Sequence, residues 1–133
     1  MLDLASFFKR WDYDTTPIIN FNGIWRNELG STMELEVGEH GRVKGVYRPS
    51  ADETLVAGEH ELVGFVNQNL ITFSVDFEHH HILTSWSGHA VKNGREETIK
   101  TLWHLVKHIH EPDLPVEAWG SVYSGANFFT RVV

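Results

Sequence analysis

The chain has no cysteine among its 133 residues, which excludes a disulfide framework, a thiolate nucleophile and a zinc site built on sulfur. It also lacks a basic surplus: 11 Lys and Arg stand against 18 Asp and Glu, a formal net charge of −7. Phosphate backbones and anionic lipid surfaces both need a cationic face, so neither nucleic acid nor a membrane is expected as a partner. No apolar run approaches the roughly 18–20 residues that span a bilayer as a helix. The first eight residues lack the basic start and long apolar stretch of a secretory signal, so the chain either stays inside the cell or has lost a leader.

What is present is an ordinary globular composition, 41% hydrophobic, in a length that fits one domain. Residues 1–17 stand apart. Leu2, Leu4, Phe7, Phe8 and Trp11 give one short apolar helical face ending before Thr16-Pro17, and this reads as an N-terminal arm packed over one end of the domain. From residue 18 to 133 the pattern becomes short alternating runs divided by Gly, Asn and Asp, the mark of antiparallel strands. Eight are expected, at about 22–29, 31–38, 42–49, 60–67, 70–77, 82–91, 97–109 and 118–131. Their connectors are mostly short, so consecutive strands should be hairpin neighbours.

Alternation assigns the faces. Met33, Leu35 and Val37 share one side of the second strand, and Ile71, Phe73, Val75 and Phe77 share one side of the fifth, opposite Thr72, Ser74 and Asp76. Eight half-apolar strands with no helix to cover them close best into an all-β, up-and-down antiparallel barrel, which removes edge strands; a two-sheet sandwich is the competing architecture.

The same alternation puts polarity inside. Tyr47, Thr84, Trp86, Trp103, Leu105 and Asn127 fall on the inward face, and Asn27 and Ser31 flank the first turn. Each buried polar group costs about 1–3 kcal/mol unless it is hydrogen-bonded, so such a barrel encloses either water or a ligand. Tryptophan walls beside convergent polar groups favour a ligand. A catalytic reading, Ser31 with a histidine and Asp76, fails on parity: Asp76 falls outside and no histidine falls clearly inside. The run His79-His80-His81 places two imidazoles on one strand face at most, lies at a turn and has no third ligand fixed by spacing, so it reads as solvated and not as a metal site. His104, His108 and His110 share the outward parity, opposite Trp103 and Leu105.

Five blocks carry a resemblance. Gly23-Ile24-Trp25-Arg26-Asn27-Glu28-Leu29-Gly30-Ser31 resembles the opening strand and turn of avidin and streptavidin. Gly45-Val46-Tyr47, Thr84-Ser85-Trp86-Ser87-Gly88, Ile99 to Leu105 and Ala126 to Val132 follow in that family's order and spacing, so the likeness covers about residues 22–132. It implies an avidin-like barrel that binds biotin tightly as a ligand, with no cofactor and no catalysis, in a role of biotin sequestration. A lipocalin-like carrier of another small apolar molecule is the alternative, and clustered donors count against it.

The resemblance also implies roles. Asn27, Ser31 and Tyr47 would donate to the ureido oxygen, Asn127 would accept from a ureido N–H, and Thr84 would lie near the ring sulfur. Trp86, Trp103 and Leu105 would wall the bicyclic ring, and Trp119 would be lent to a neighbouring subunit's site. Three positions depart from the pattern. Phe77 replaces a wall tryptophan. Pro49 occupies a hydroxyl position that Ser50 would fill after a one-residue shift. Ile82 replaces a serine that reaches the carboxylate, which leaves the valerate end to backbone N–H groups of the 49–59 loop. A homo-oligomer is implied: Trp119 favours a tetramer, while His104, at a usually apolar interface position, leaves a dimer as the alternative and suggests a pH-sensitive contact.

Overall fold

The computed structural model describes residues 19–51, 57–109 and 121–132. The arm at 1–17, Trp119 and His110 lie outside them.

Eight strands form a closed antiparallel barrel in simple sequential order. They are β1 (Gly23–Asn27), β2 (Thr32–Val37), β3 (Arg42–Arg48), β4 (His60–Asn67), β5 (Leu70–Asp76), β6 (Ile82–Asn93), β7 (Glu96–Lys107) and β8 (Val122–Arg131). β8 returns to β1, with Trp25 opposite Arg131 and Asn27 opposite Phe129, so no strand edge is left open. The sandwich alternative is thereby excluded.

The expected strand limits shift where backbone bonding intervenes. β1 stops at Asn27, short of 29, because the chain closes a turn there. The Asn27 N–H donates to Ser31 O at 2.9 Å, the Gly30 N–H donates to Asn27 O at 3.0 Å, and Gly30 has φ +90°. The β6–β7 ladder runs farther than expected, to Asn93 opposite Glu96, and leaves Gly94-Arg95 as a two-residue turn.

The barrel interior holds the core. Met33, Leu35, Leu62, Ile71, Phe73, Val75, Ile99 and Phe129 are buried, each at the inward parity of its strand. One end is sealed. Trp25 is fully buried, its indole N–H donates to Phe21 O at 3.0 Å, and the Arg131 guanidinium lies 4.3 Å above its ring. Arg131 is held over the ring by bonds to Glu97, Asn20 O and Asn22 O. The opposite end is where β1, β3, β5 and β7 finish, and the described residues 28–31, 49–51, 77–81 and 108–109 lie there.

Candidate functional site

Between the sealed end and those connections lies a cavity of about 170 Å³ lined by Asn27, Leu29, Tyr47, Phe77, Thr84, Trp86, Trp103, Leu105 and Asn127. All but Leu29 are residues nominated from the sequence. Strand register brings them together: Thr84 stands opposite Leu105 and Trp86 opposite Trp103, while Phe73 opposite Trp86 backs the wall. Phe73 stacks on Trp86 at 4.9 Å and 13°, and Tyr47 closes on the same indole at 5.2 Å. Phe77 meets Tyr47 edge-on at 6.0 Å, so a phenyl ring supplies the apolar wall at the position where a tryptophan was the family expectation.

The turn after β1 orients two of the polar groups. Asn27 Oδ1 accepts the N–H groups of Leu29 at 3.0 Å and Ser31 at 2.9 Å. Both lone pairs of that oxygen are thus spent on the turn, and the side chain presents its Nδ2 donors. Ser31 is fully buried, and its Oγ accepts the Ser50 N–H at 2.9 Å. Ser50 is therefore brought to the site through its backbone. Its own Oγ and the Thr84 Oγ1 are buried hydroxyls with no hydrogen-bond partner among the described residues.

Asn127 is fixed from three directions. Its Oδ1 accepts the Trp86 indole N–H at 3.0 Å, its Nδ2 donates to Glu28 Oε1 at 2.7 Å, and its backbone O accepts Thr101 Oγ1 at 3.0 Å. Glu28 Oε2 takes the Phe128 N–H at 3.0 Å. This clamp sets the amide so that its oxygen, with a second lone pair still to offer, stands beside Trp86 at the cavity wall. Glu28 was not nominated from the sequence, although its place directly after Asn27 in the turn was a signal.

Trp103 depends on what is missing from its neighbour. Gly125 lies opposite it on β8, and a Cβ there would stand 2.4 Å from Trp103 Cζ2, so the indole occupies the space of an absent side chain.

The expectation that no histidine falls inside is corrected at the rim. His60, the first residue of β4, pairs with Tyr47 on the inward parity, and its ring packs edge-on to Phe77 at 4.7 Å. The strand after a long loop has no readable parity until its partner is known, which is why His60 was passed over. On the outer side, Arg48 is bound by Glu59 at 2.8 Å and Glu34 at 3.4 Å; the hydrogen bond to Glu59 pushes the guanidinium further up from its ordinary value. His79 and His80 are exposed in a 3-10 turn with His81 following it, and no group of three or more His, Asp or Glu among the described residues is placed to hold a metal.

A model of the avidin family matches residues 15–132. The chain belongs to the avidin family. It is 32% identical to afifavidin of Afifella pfennigii over 113 residues, 81% of this chain and 67% of that protein. The fold agrees with the crystal structure of xenavidin at TM-score 0.74 and 29% identity, covering 85% of this chain and 97% of that one. It agrees with the rhizavidin–biotin complex at TM-score 0.71 and 28% identity, covering 86% and 98%. The family's closed eight-stranded barrel is the architecture of this chain.

Proposed function

We propose that the cavity binds biotin, non-covalently and without transforming it, through the residues that line it together with Ser31 and Ser50. The observation that carries this reading is the pair of buried hydroxyls, Thr84 Oγ1 and Ser50 Oγ, that have no hydrogen-bond partner among the described residues and stand near the polar groups of the cavity. A buried unpaired hydroxyl costs about 1–3 kcal/mol, a cost that a ligand with polar atoms at those points relieves. Asn27 Nδ2, Ser31 Oγ and Tyr47 Oη supply donors for one ureido oxygen, and Asn127 Oδ1 supplies an acceptor for a ureido N–H. Trp86, Trp103, Phe77 and Leu105 enclose the fused rings. Membership of the avidin family and the likeness to a biotin complex support the same ligand. Tight capture without turnover fits a role in sequestering biotin.

Calorimetry with biotin and with a long-chain fatty acid separates the readings. Saturable sub-micromolar binding of biotin alone is expected; binding of the fatty acid in preference to biotin overturns the proposal.

We also infer that the chain self-associates through the outer face of β6–β8. Leu83, Leu102 and Phe128 are 54%, 64% and 51% exposed there, and a groove of about 790 Å³ runs past Leu102, Ala126 and Phe128. Exposed apolar area of that kind marks an interaction surface. His104 is exposed on this face between Ser85 and Ser124, an imidazole in an otherwise apolar and small-residue surround. A tetramer is the form we favour.

A further inference from the structure

The sequence holds two Asn-Gly dipeptides, Asn22-Gly23 and Asn93-Gly94. Such a pair is open to one covalent change, because glycine has no Cβ to shield its amide nitrogen from the side chain before it. That nitrogen, once it has lost its proton, attacks Cγ of the asparagine. A new C–N bond closes a cyclic imide, the Cγ–Nδ2 bond breaks and ammonia leaves. Water then opens the ring at either carbonyl and gives aspartate or isoaspartate. An amide and water become a carboxylate and ammonium, with no oxidant, cofactor or enzyme.

The fold treats the two dipeptides differently. Asn93-Gly94 lies at the tip of the β6–β7 hairpin, where Asn93 pairs with Glu96 and Gly94, with φ +67°, begins the turn. This tip overhangs the barrel. The β5 ladder ends at Leu70 opposite His89, with one further bond from the Ala90 N–H to Asn69 O, and the β8 ladder begins at Thr130 opposite Thr98. Val91 to Asn93 therefore have β7 as their sole ladder partner. Every residue from Val91 to Glu96 is exposed, and a Cβ on Gly94 would meet no atom within 4 Å. The Asn93 carboxamide has no hydrogen-bond partner among the described residues. Asn22 is held on three sides instead. Its Oδ1 accepts the Val37 N–H at 2.7 Å, its peptide O accepts Arg131 Nη1 at 2.7 Å, and its N–H donates to Asn20 Oδ1 at 3.0 Å. Gly23 is in the β1 ladder opposite Leu35, and the same Arg131 covers Trp25.

We propose that Asn93 is a site of spontaneous deamidation in the folded protein, and that the fold protects Asn22 from the same reaction. Bringing the glycine nitrogen onto Cγ requires the asparagine backbone to rotate. At the tip that rotation parts one terminal ladder pair, whereas at Asn22 it breaks the bonds that hold the sealed end, and local opening free energies rise from near zero at fraying tips toward the global value in packed elements. The charges at the tip are mixed. Lys92 and Arg95 flank the dipeptide and favour the deprotonated nitrogen, Glu96 faces Asn93 and opposes it, and Glu97, opposite Lys92, is bound to Arg131. The product has a structural consequence. Aspartate at 93 sets a carboxylate directly across from Glu96, a destabilising cross-strand pair, and isoaspartate adds a backbone carbon to the last pair of the ladder.

The test incubates the full chain at pH 6 and at pH 9, folded and in denaturing guanidinium, and follows both dipeptides by peptide mapping with mass spectrometry after cleavage at glutamates. Conversion is read as the mass gain from amide to acid, and isoaspartate by its separate elution and by enzymatic methylation. In the folded chain Asn93 is expected to convert at least roughly tenfold faster than Asn22, and faster at pH 9 than at pH 6. In the denatured chain the two are expected to convert at comparable rates, and Asn93→Gln is expected to abolish the change at the tip. Equal rates at the two sites in the folded chain overturn the proposal, as does a folded chain in which Asn93 stays intact while the denatured chain reacts. The same preference for Asn93 in the denatured chain overturns the role given to the fold. No outcome depends on the ligand, so the biotin reading stands or falls separately.

Discussion

The Asn127 amide nitrogen donates to the carboxylate of Glu28 at 2.7 Å, across 99 residues of chain. This bond decides which end of the amide faces the cavity, because the same side chain takes the Trp86 indole N–H on its oxygen. Replacing Glu28 with Ala frees the amide to rotate and also releases the Phe128 N–H. Biotin affinity is expected to fall by about 1–2 kcal/mol by calorimetry, while Glu28→Gln, which keeps an acceptor, loses less. Equal affinity in the Ala variant would show the clamp to be irrelevant.

The clamp also predicts a charge conflict. Asn127→Asp places a second carboxylate within hydrogen-bond distance of Glu28, and like charges so close cannot both ionise without cost. The single variant is expected to lose stability near neutral pH, and Glu28→Gln in the same chain to restore it. A double-mutant cycle by chemical denaturation should return a coupling of about 1–3 kcal/mol. Strict additivity of the two changes would contradict the geometry.

Thr84→Val should separate stability from binding. It removes a buried hydroxyl that has no partner among the described residues, so the ligand-free protein is expected to gain about 1 kcal/mol in thermal or denaturant unfolding. Biotin affinity is expected to fall in the same variant. A variant that loses stability without ligand would place a structural partner on that hydroxyl.

Gly125→Ala forces the Trp103 ring from its place, since the new Cβ would lie 2.4 Å from Cζ2. Overpacking of this kind costs about 1–3 kcal/mol. Weaker biotin binding and an altered tryptophan emission spectrum are expected, with the far-ultraviolet circular dichroism of the barrel unchanged.

Charge on the outer face tests assembly. Leu102→Lys, at the residue with the largest apolar exposure of the β7 face, is expected to lower the mass seen by native mass spectrometry toward the single chain. An unchanged mass would move the interface elsewhere. Wild-type assembly that stays the same from pH 8 to pH 5 would remove the role suggested for His104.

Much of this was legible in the sequence because a strand's period is two. Once Ile71, Phe73 and Val75 declare the inward face of β5, Trp86 and Trp103 follow through register, and the polar residues at the same parity stand out. Glu28 escaped because it is exposed in a turn and its partner is remote in sequence. Gly125 escaped because its contribution is an absent side chain. His60 escaped because the parity of β4 depends on pairing with Tyr47, after a loop whose length hides the register. Trp119, the expected loan to a neighbouring subunit, and the arm at 1–17 lie outside the described residues.

The most direct test is a crystal structure of the protein grown with biotin. The ureido oxygen is expected within about 3.2 Å of Asn27 Nδ2, Ser31 Oγ and Tyr47 Oη together, with the rings between Trp86 and Trp103 and the carboxylate at the mouth. Biotin lying on the outer face, or entering with its carboxylate toward Trp25, would contradict the account.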